Sequence, residues 1–311
     1  MEQELEYVLK VWEKKSFTKA AEQLFITQPA LSIAIKKVED TIGMPVFDRS
    51  IRPLSLTPAG EAYLQYIKDL KDLENNMNKQ MEDLKGGNTG EITLGVTHYL
   101  GAYILPHVLS GFAKTYPNIT LHLVEAGSAK LQEMLAGREL DITFNCSPDF
   151  VKDYERYRAF TDHILLAVPK DLPINSSLEE LRLSAKEVMN GKHLEDSCPC
   201  ASLNSFQNEP FILLQAGNNL HSRAKALFNE AGFSPKVKLE LSQLVTSYRL
   251  AESGLGVAFV SDRLECSDSD RLYFYKLKSE QTNRLFYMVL PDHQYVTHAV
   301  RAFIKYCEQH I

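Results

Sequence analysis

Ser16–Leu24 reads SFTKAAEQL and Thr27–Glu39 reads TQPALSIAIKKVE, and these two stretches decide the N-terminal fold. In the first, Ser16 or Thr18 can cap a short helix holding Ala20, Ala21 and Leu24, because a side-chain oxygen there satisfies an orphaned helix N–H. In the second, Thr27 takes the same role and Pro29 falls in the first turn, where its missing N–H removes nothing. Leu31, Ile35, Val38 and Ile42 give this helix a buried stripe at helical spacing. Gln28, Ser32, Ile33, Lys36 and Lys37 fall on the opposite face. Upstream, Leu5, Val8, Leu9 and Trp12 follow i, i+3, i+4, i+7, one face of another helix. The spacing predicts a unit of three short helices.

Downstream, Gly43–Phe47 and Leu54–Leu56 flank the polar, basic run Asp48–Pro53, the pattern of a small hairpin or wing. Thr57-Pro58 restarts a helix, with Thr as N-cap and Pro at the first helical position. Tyr63, Leu70, Met77 and Leu84 then recur every seven residues, with Tyr66 and Leu73 three after the first two, an imperfect heptad pattern that Gln80 interrupts. A helix over 58–86 would span roughly 43 Å. So small a head cannot cover that stripe, and a partner chain is its natural cover. Gly86-Gly87-Asn88-Thr89-Gly90 ends the helix.

From Glu91 onward, short apolar strands alternate with helices. Strands are expected at 92–96, 119–124, 141–145, 164–168, 211–214, 237–241, 257–260, 272–275 and 285–290, and helices at 102–115, 128–137, 220–231, 243–253 and 296–309. This alternation predicts an α/β fold of parallel sheets with helices on both faces. Residues 175–208 are polar and fit the pattern poorly, with a helix expected at 178–190 and a loop after it.

Charge is a weak guide. The 311 residues carry a net charge of −6, but residues 1–60 hold eight Lys/Arg against eight Asp/Glu, so the acidic excess lies entirely in the remainder. No apolar run reaches the ~18 residues of a membrane span. Met1–Lys10 alternates Glu with Leu and Tyr, unlike a signal or transit peptide, so a cytoplasmic protein with free thiols is expected.

Taken together, the two opening stretches, Gly43, Phe47-Asp48-Arg49 and Leu56–Gly60 closely resemble the head of the LysR-type transcription regulators. Further on, Gly90–Gly95, Leu105-Pro106, Phe112–Pro117, Gly137–Asp141 and Gly254–Val257 resemble that family's effector domain. The main departure is 175–208. The resemblance implies a winged helix-turn-helix at 1–57, a linker and dimerisation helix at 58–86, and a two-lobed domain like a periplasmic binding protein, its lobes linked by two crossing strands. Lobe I is expected at 91–166 with 270–311 and lobe II at 167–269. The resemblance also implies a homodimer or homotetramer that binds double-stranded DNA, with RNA polymerase as a partner and no enzyme activity.

A helix fits the major groove, where its N-terminal side chains meet base edges. Thr27, Gln28, Pro29, Ser32, Ile33 and Lys36 are the expected contacts: Gln28 to adenine, Ser32 to base or phosphate, Lys36 to guanine or phosphate, and Pro29 or Ile33 to a thymine methyl. Any three-helix unit would show a solvated polar face as well. Arg49 and Arg52 flank the wing turn and suit phosphates or a narrow minor groove, although Arg49 could instead form a salt bridge inside the head.

A small, anionic effector is expected between the lobes, where strand ends meet helix N-termini. Thr97, His98, Ser128, Asn145 and Thr246 occupy such junctions, although ordinary helix capping explains any single Ser or Thr there. No cofactor or metal site is expected. Cys198 and Cys200 lie near His193 in sequence, but a C-x-C pair lacks zinc-site spacing and would make a strained disulfide. A solute-binding module without DNA activity would carry an export signal and no helix-turn-helix. An enzyme on this fold would show a phosphate loop or nucleophile elbow, and neither appears in the sequence.

Overall fold

The computed structural model describes residues 2–84, 86, 89–264 and 270–311. Cys266 and two residues of the glycine-rich break, Gly87 and Asn88, lie outside them. The chain forms two compact units, residues 1–81 and 82–311.

The first unit opens with α1 (Glu2–Lys14), α2 (Phe17–Gln23) and α3 (Gln28–Ile42). Ser16, rather than Thr18, caps α2 by accepting the Lys19 N–H, and Thr27 caps α3 by accepting the Ala30 N–H. Gly43 ends α3 at φ 78°, a left-handed conformation that a Cβ would strain. Val8, Val11, Ala20, Ala21, Leu31, Ile35, Val38, Val46, Phe47 and Ile67 form one core. Trp12 departs from the expected stripe. The buried line of α1 runs through Val8 and Val11, while Trp12 lies 38% exposed on the flank, with the Lys68 ammonium 5.4 Å from its ring centre.

The wing is a two-strand ribbon, β1 (Phe47–Asp48) against β2 (Ser55–Leu56), antiparallel. Then comes α4 (Pro58–Leu84). Its entry explains the Thr-Pro-Ala-Gly sequence. Thr57 Oγ1 donates to the Pro45 carbonyl at 2.6 Å and accepts the Gly60 N–H at 3.0 Å. A Cβ on Gly60 would stand 2.0 Å from the Val46 carbonyl oxygen, so only glycine lets the helix approach this closely. Leu64 and Ile67 carry the buried contacts of α4, whereas Leu73, Met77 and Met81 stay exposed. Tyr63, the first residue of the expected heptad, packs against the head core together with Ile67.

The second unit is built on a ten-stranded sheet. One half holds β3 (Gly90–Val96), β4 (Ile119–Glu125) and β5 (Ile142–Asn145), all parallel, with α5 (Pro106–Thr115) and α6 (Ser128–Ala136) between them. After a short α7 (Pro148–Val151), β6 (Arg156–Pro169) begins eight residues before the expected 164–168 strand. Then follow α8 (Ile174–Ser177), β7 (Arg182–Leu183) and α9 (Ala185–Met189). The other half holds β8 (Pro210–Leu214), α10 (Asn219–Ala231), β9 (Lys236–Leu241), α11 (Leu244–Glu252) and β10 (Val257–Ser261), its strands parallel. The chain ends with β11 (Leu272–Lys276), β12 (Asn283–Val289) and α12 (His298–His310).

The order is β4-β3-β5-β12-β6-β10-β8-β9, with β11 pairing β6 and β7. Parallel pairing is thus confined to the two flanks, a correction to the all-parallel expectation. β6 runs antiparallel to β12, β10 and β11, and β12 antiparallel to β5. β11 and β12 both run antiparallel to β6 and pair successive stretches of it, Leu165–Pro169 and then Arg156–His163. A single strand, β6, therefore belongs to both halves of the sheet.

In the 175–208 segment the expected helix at 178–190 is confined to Ala185–Met189. The segment breaks into short turns and α9, which carries a capping box between Ser184 and Glu187. The buried Asn175 amide donates to the carbonyls of Pro169, Lys170 and Leu172, and the Tyr275 hydroxyl donates to its Oδ1 at 2.8 Å. One side chain thereby satisfies a turn that helix bonds would otherwise have to serve. Leu183, Val188 and Phe206 anchor the segment in the core.

Candidate DNA-binding face and ligand cavity

The exposed face of α3 presents Thr27, Gln28, Pro29, Ile33 and Lys36, with Ser32 half-buried among them. Gln28 Nε2 donates to Ser32 Oγ at 2.8 Å, so a base edge would have to replace this bond. Ile33 is 71% exposed. Phe25, in the turn before α3, is 95% exposed at φ 55°. The sequence reading passed over it because an aromatic in this position resembles core. Arg49 is already engaged: its Nη2 pairs with Glu39 Oε2 at 3.1 Å, and its guanidinium sits 4.9 Å from the Phe17 ring centre. Glu39 also accepts the Val46 and Phe47 N–H groups, so Arg49 helps fasten the wing to α3. Arg52 is exposed at the wing tip.

In the second unit, a cavity of about 170 Å³ lies at the carboxyl ends of the strands from both halves of the sheet. Thr97, His98, Ser128 and Asn145 all line it, so four of the five expected effector residues come together. Thr246 is not among the lining residues. It is exposed, one turn into α11, and Ser242 and Gln243 line the cavity in its place.

Two helices begin at this cavity without a side-chain cap: α6 after Gly127 and α11 after Gln243. No side chain satisfies their first N–H groups, although the Ala129 N–H of α6 already donates to the Gly217 carbonyl at 3.3 Å. By contrast Asn218, at the start of α10, caps its own helix by accepting the Leu220 N–H. Glu125 stands exposed at the rim, and Cys146 contributes a buried thiol that desolvation pushes up to about 11.

The wall of the cavity includes Arg284, a residue the sequence reading did not single out. Asp162 on β6 is fully buried and grips Arg284 in a two-point pair, Nε to Oδ1 at 2.7 Å and Nη2 to Oδ2. Ser261 Oγ donates to Asp162 Oδ2 at 2.7 Å, and the Tyr99 hydroxyl lies 2.7 Å from Ser261 Oγ and 3.1 Å from Asp162 Oδ2. Burial disfavours the guanidinium charge, but the Asp162 carboxylate outweighs it and holds Arg284 above its ordinary value. Burial, reinforced by Asp162, pushes the Tyr99 phenol well up, so it stays protonated. Nη1 of Arg284 has no hydrogen-bond partner among the described residues. An Arg 27 residues past the last family-like stretch, Gly254–Val257, gives no signal in one sequence; only the sheet brings it here.

A helix-turn-helix with an exposed reading face, on a chain whose second unit holds a polar cavity between two half-sheets, defines a DNA-binding regulator with a sensor domain. The family model described as "Bacterial regulatory helix-turn-helix protein, lysR family" matches residues 3–61, and "LysR substrate binding domain" matches residues 85–311. The chain belongs to the LysR family of transcription regulators and is not an enzyme. Among curated relatives, it is 28% identical over 301 residues to the uncharacterized HTH-type transcriptional regulator YcgK of Bacillus subtilis, covering 97% of this chain and 92% of that one. It is 28% identical over 246 residues to the HTH-type transcriptional activator CmpR of Synechocystis, covering 79% of this chain and 74% of that one. Two solved structures share the fold. Full-length CbnR in complex with its target DNA matches with a TM-score of 0.62 at 16% identity, covering 100% of both chains. Full-length BenM matches with a TM-score of 0.56 at 22% identity, covering 99% of this chain and 96% of that one. No helix among the described residues is long and apolar enough to cross a membrane.

Proposed function

We propose that this regulator reads a specific promoter through Gln28, Ser32, Ile33 and Lys36, and that a small anionic metabolite held at the cavity controls it. In this reading residues 1–57 are the DNA-binding domain and 58–86 the linker. Residues 91–166 with 270–311 form one lobe and 167–269 the other. The observation that carries the ligand class is the pair of uncapped helix starts, after Gly127 and after Gln243, opening on one cavity walled by Arg284. Uncapped N–H groups favour a carboxylate or similar anion, while the Arg284 charge is already balanced by Asp162. A ligand touching both half-sheets shifts activity only by its differential affinity for two states.

The exposed Leu73, Met77 and Met81 of α4 favour a second copy of the chain as cover, in a homodimer or homotetramer. DNA, RNA polymerase and the cytoplasm complete the reading; the structural neighbour CbnR is solved with its target DNA. The test is a thermal-shift screen of the full chain against small carboxylates and their amides. A carboxylate that raises the melting temperature, with no effect from its amide, supports the reading. Stabilisation by the amide alone refutes the anionic class.

A further inference from the structure

A carboxylate shared by two imidazoles lies where β6 passes from one half of the sheet to the other. Asp262, directly after β10, places its Oδ2 2.9 Å from His163 Nδ1 and 2.9 Å from His193 Nε2. Its Oδ1 accepts the His163 N–H at 2.8 Å, and its own N–H donates to the His163 carbonyl at 2.9 Å. The backbone thus fixes the carboxylate independently of the rings. His193 arrives from the turn Lys192–Leu194 and is 4% exposed, whereas the His163 side chain is 30% exposed. Hydrogen bonding leaves the buried ring half satisfied, since His193 Nδ1 has no partner among the described residues.

We propose that His163, His193 and Asp262 bind one divalent transition-metal ion. Their three donor atoms lie within 4.8 Å of one another. Two imidazoles and one carboxylate suit borderline cations rather than Mg²⁺ or Ca²⁺, which prefer oxygen throughout. At metal–ligand lengths of ~2.1 Å, ligands at right angles stand ~3.0 Å apart and tetrahedral ones ~3.4 Å. Both nitrogen-to-oxygen edges measure 2.9 Å, short enough for one ion to reach all three groups with a small adjustment of the rings. The ring-to-ring edge closes on binding, and each ring presents a lone pair at the ligating nitrogen with its proton on the other.

The position is independent of the anion reading. Asp162 and His163 are neighbours on β6 and so face opposite ways. Asp162 turns to Arg284 and the cavity wall, His163 to Asp262 and His193. Ser261 and Asp262 repeat the division from β10. The metal would therefore tie the 175–208 segment, through His193, to the strand crossing on the side away from the cavity wall.

The test uses the full chain, stripped with a chelator, dialysed against Ni²⁺ or Co²⁺ and analysed for bound metal by mass spectrometry, with visible absorption of the Co²⁺ form. The expected result is one equivalent per chain. His163→Ala and His193→Ala should each weaken binding at least ~100-fold, since even an outer-shell partner is worth ~10–100-fold. The Cys198→Ser/Cys200→Ser double variant should bind normally. Circular dichroism checks the fold, and if the buried His193→Ala unfolds, the more exposed His163→Ala carries the test. No bound metal in the parent chain overturns the proposal. So does undiminished binding in the folded His variants, or loss only in the Cys variant.

Discussion

Asp162→Asn is the sharpest test of the buried pair behind the cavity. The carboxylate accepts two bonds from Arg284 and one from Ser261, and it is fully buried. Asparagine keeps one acceptor oxygen and turns the other into an NH₂ that faces existing donors, leaving an uncompensated buried guanidinium. Removing one partner of a buried pair destabilises by about 3–5 kcal/mol. In a unit of this size each kcal/mol lowers the melting temperature by about 2–4 °C, giving a drop of roughly 6–20 °C. The double variant Asp162→Leu/Arg284→Met removes both charges and should recover most of the loss, because apolar replacement of a buried pair is often neutral. Far-UV circular dichroism follows both units, and the chain's only tryptophan, Trp12, separates out the first by its fluorescence. A drop below about 2 °C for Asp162→Asn, the size of a surface substitution, would refute the reasoning by showing that water reaches the pair.

Four further outcomes are expected. Thr97→Val should weaken effector binding measured by calorimetry, while Thr246→Val, off the cavity lining, should change it less than about twofold, or under ~0.4 kcal/mol; equal losses would put the site elsewhere. Ser32→Ala with Lys36→Ala should weaken a specific promoter complex by about 2–6 kcal/mol in gel shifts, and unchanged affinity would remove α3 as the reading helix. Leu73→Glu with Met77→Glu should lower the oligomeric state in sedimentation, because each seam would bury like charges; an unchanged assembly would place the interface off this stripe. Glu187, held at about 2 by Lys192 and then by Ser184, should stabilise above its ordinary value of ~4.3 and lose that contribution as pH falls toward 2. Its side chain is 39% exposed, so the gain over Glu187→Gln should stay below ~1 kcal/mol at pH 6 and vanish near pH 2; a gain that persists in acid would contradict the ion pair.

Much of the head was legible because its signals are local. Thr27 and Ser16 cap helices within three residues of themselves, and a buried stripe such as Leu31, Ile35 and Val38 announces itself at helical spacing. Trp12 misled because periodicity gives a face but not its centre, and Val11 proved to lie nearer the core. Arg49 was left open between DNA and a salt bridge, since nothing in its neighbours shows that Glu39, ten residues earlier, stands beside it.

In the second unit the sequence located most strands and helices, because burying a strand between helices requires a run of apolar residues wherever it pairs. It could place Thr97, His98, Ser128 and Asn145 at strand ends for the same reason. Strand direction, the double membership of β6 and the fate of 175–208 were decided by tertiary structure. Those features depend on pairing between segments a hundred residues apart, and hydrophobic period carries no record of a partner. The same holds for the two polar clusters. Asp162 with Arg284, and His163 with His193 and Asp262, join residues 122, 30 and 99 positions apart in the chain, counted from their numbers. Each is an ordinary surface-type residue when read alone, and only the folded sheet removes its water and supplies its partner.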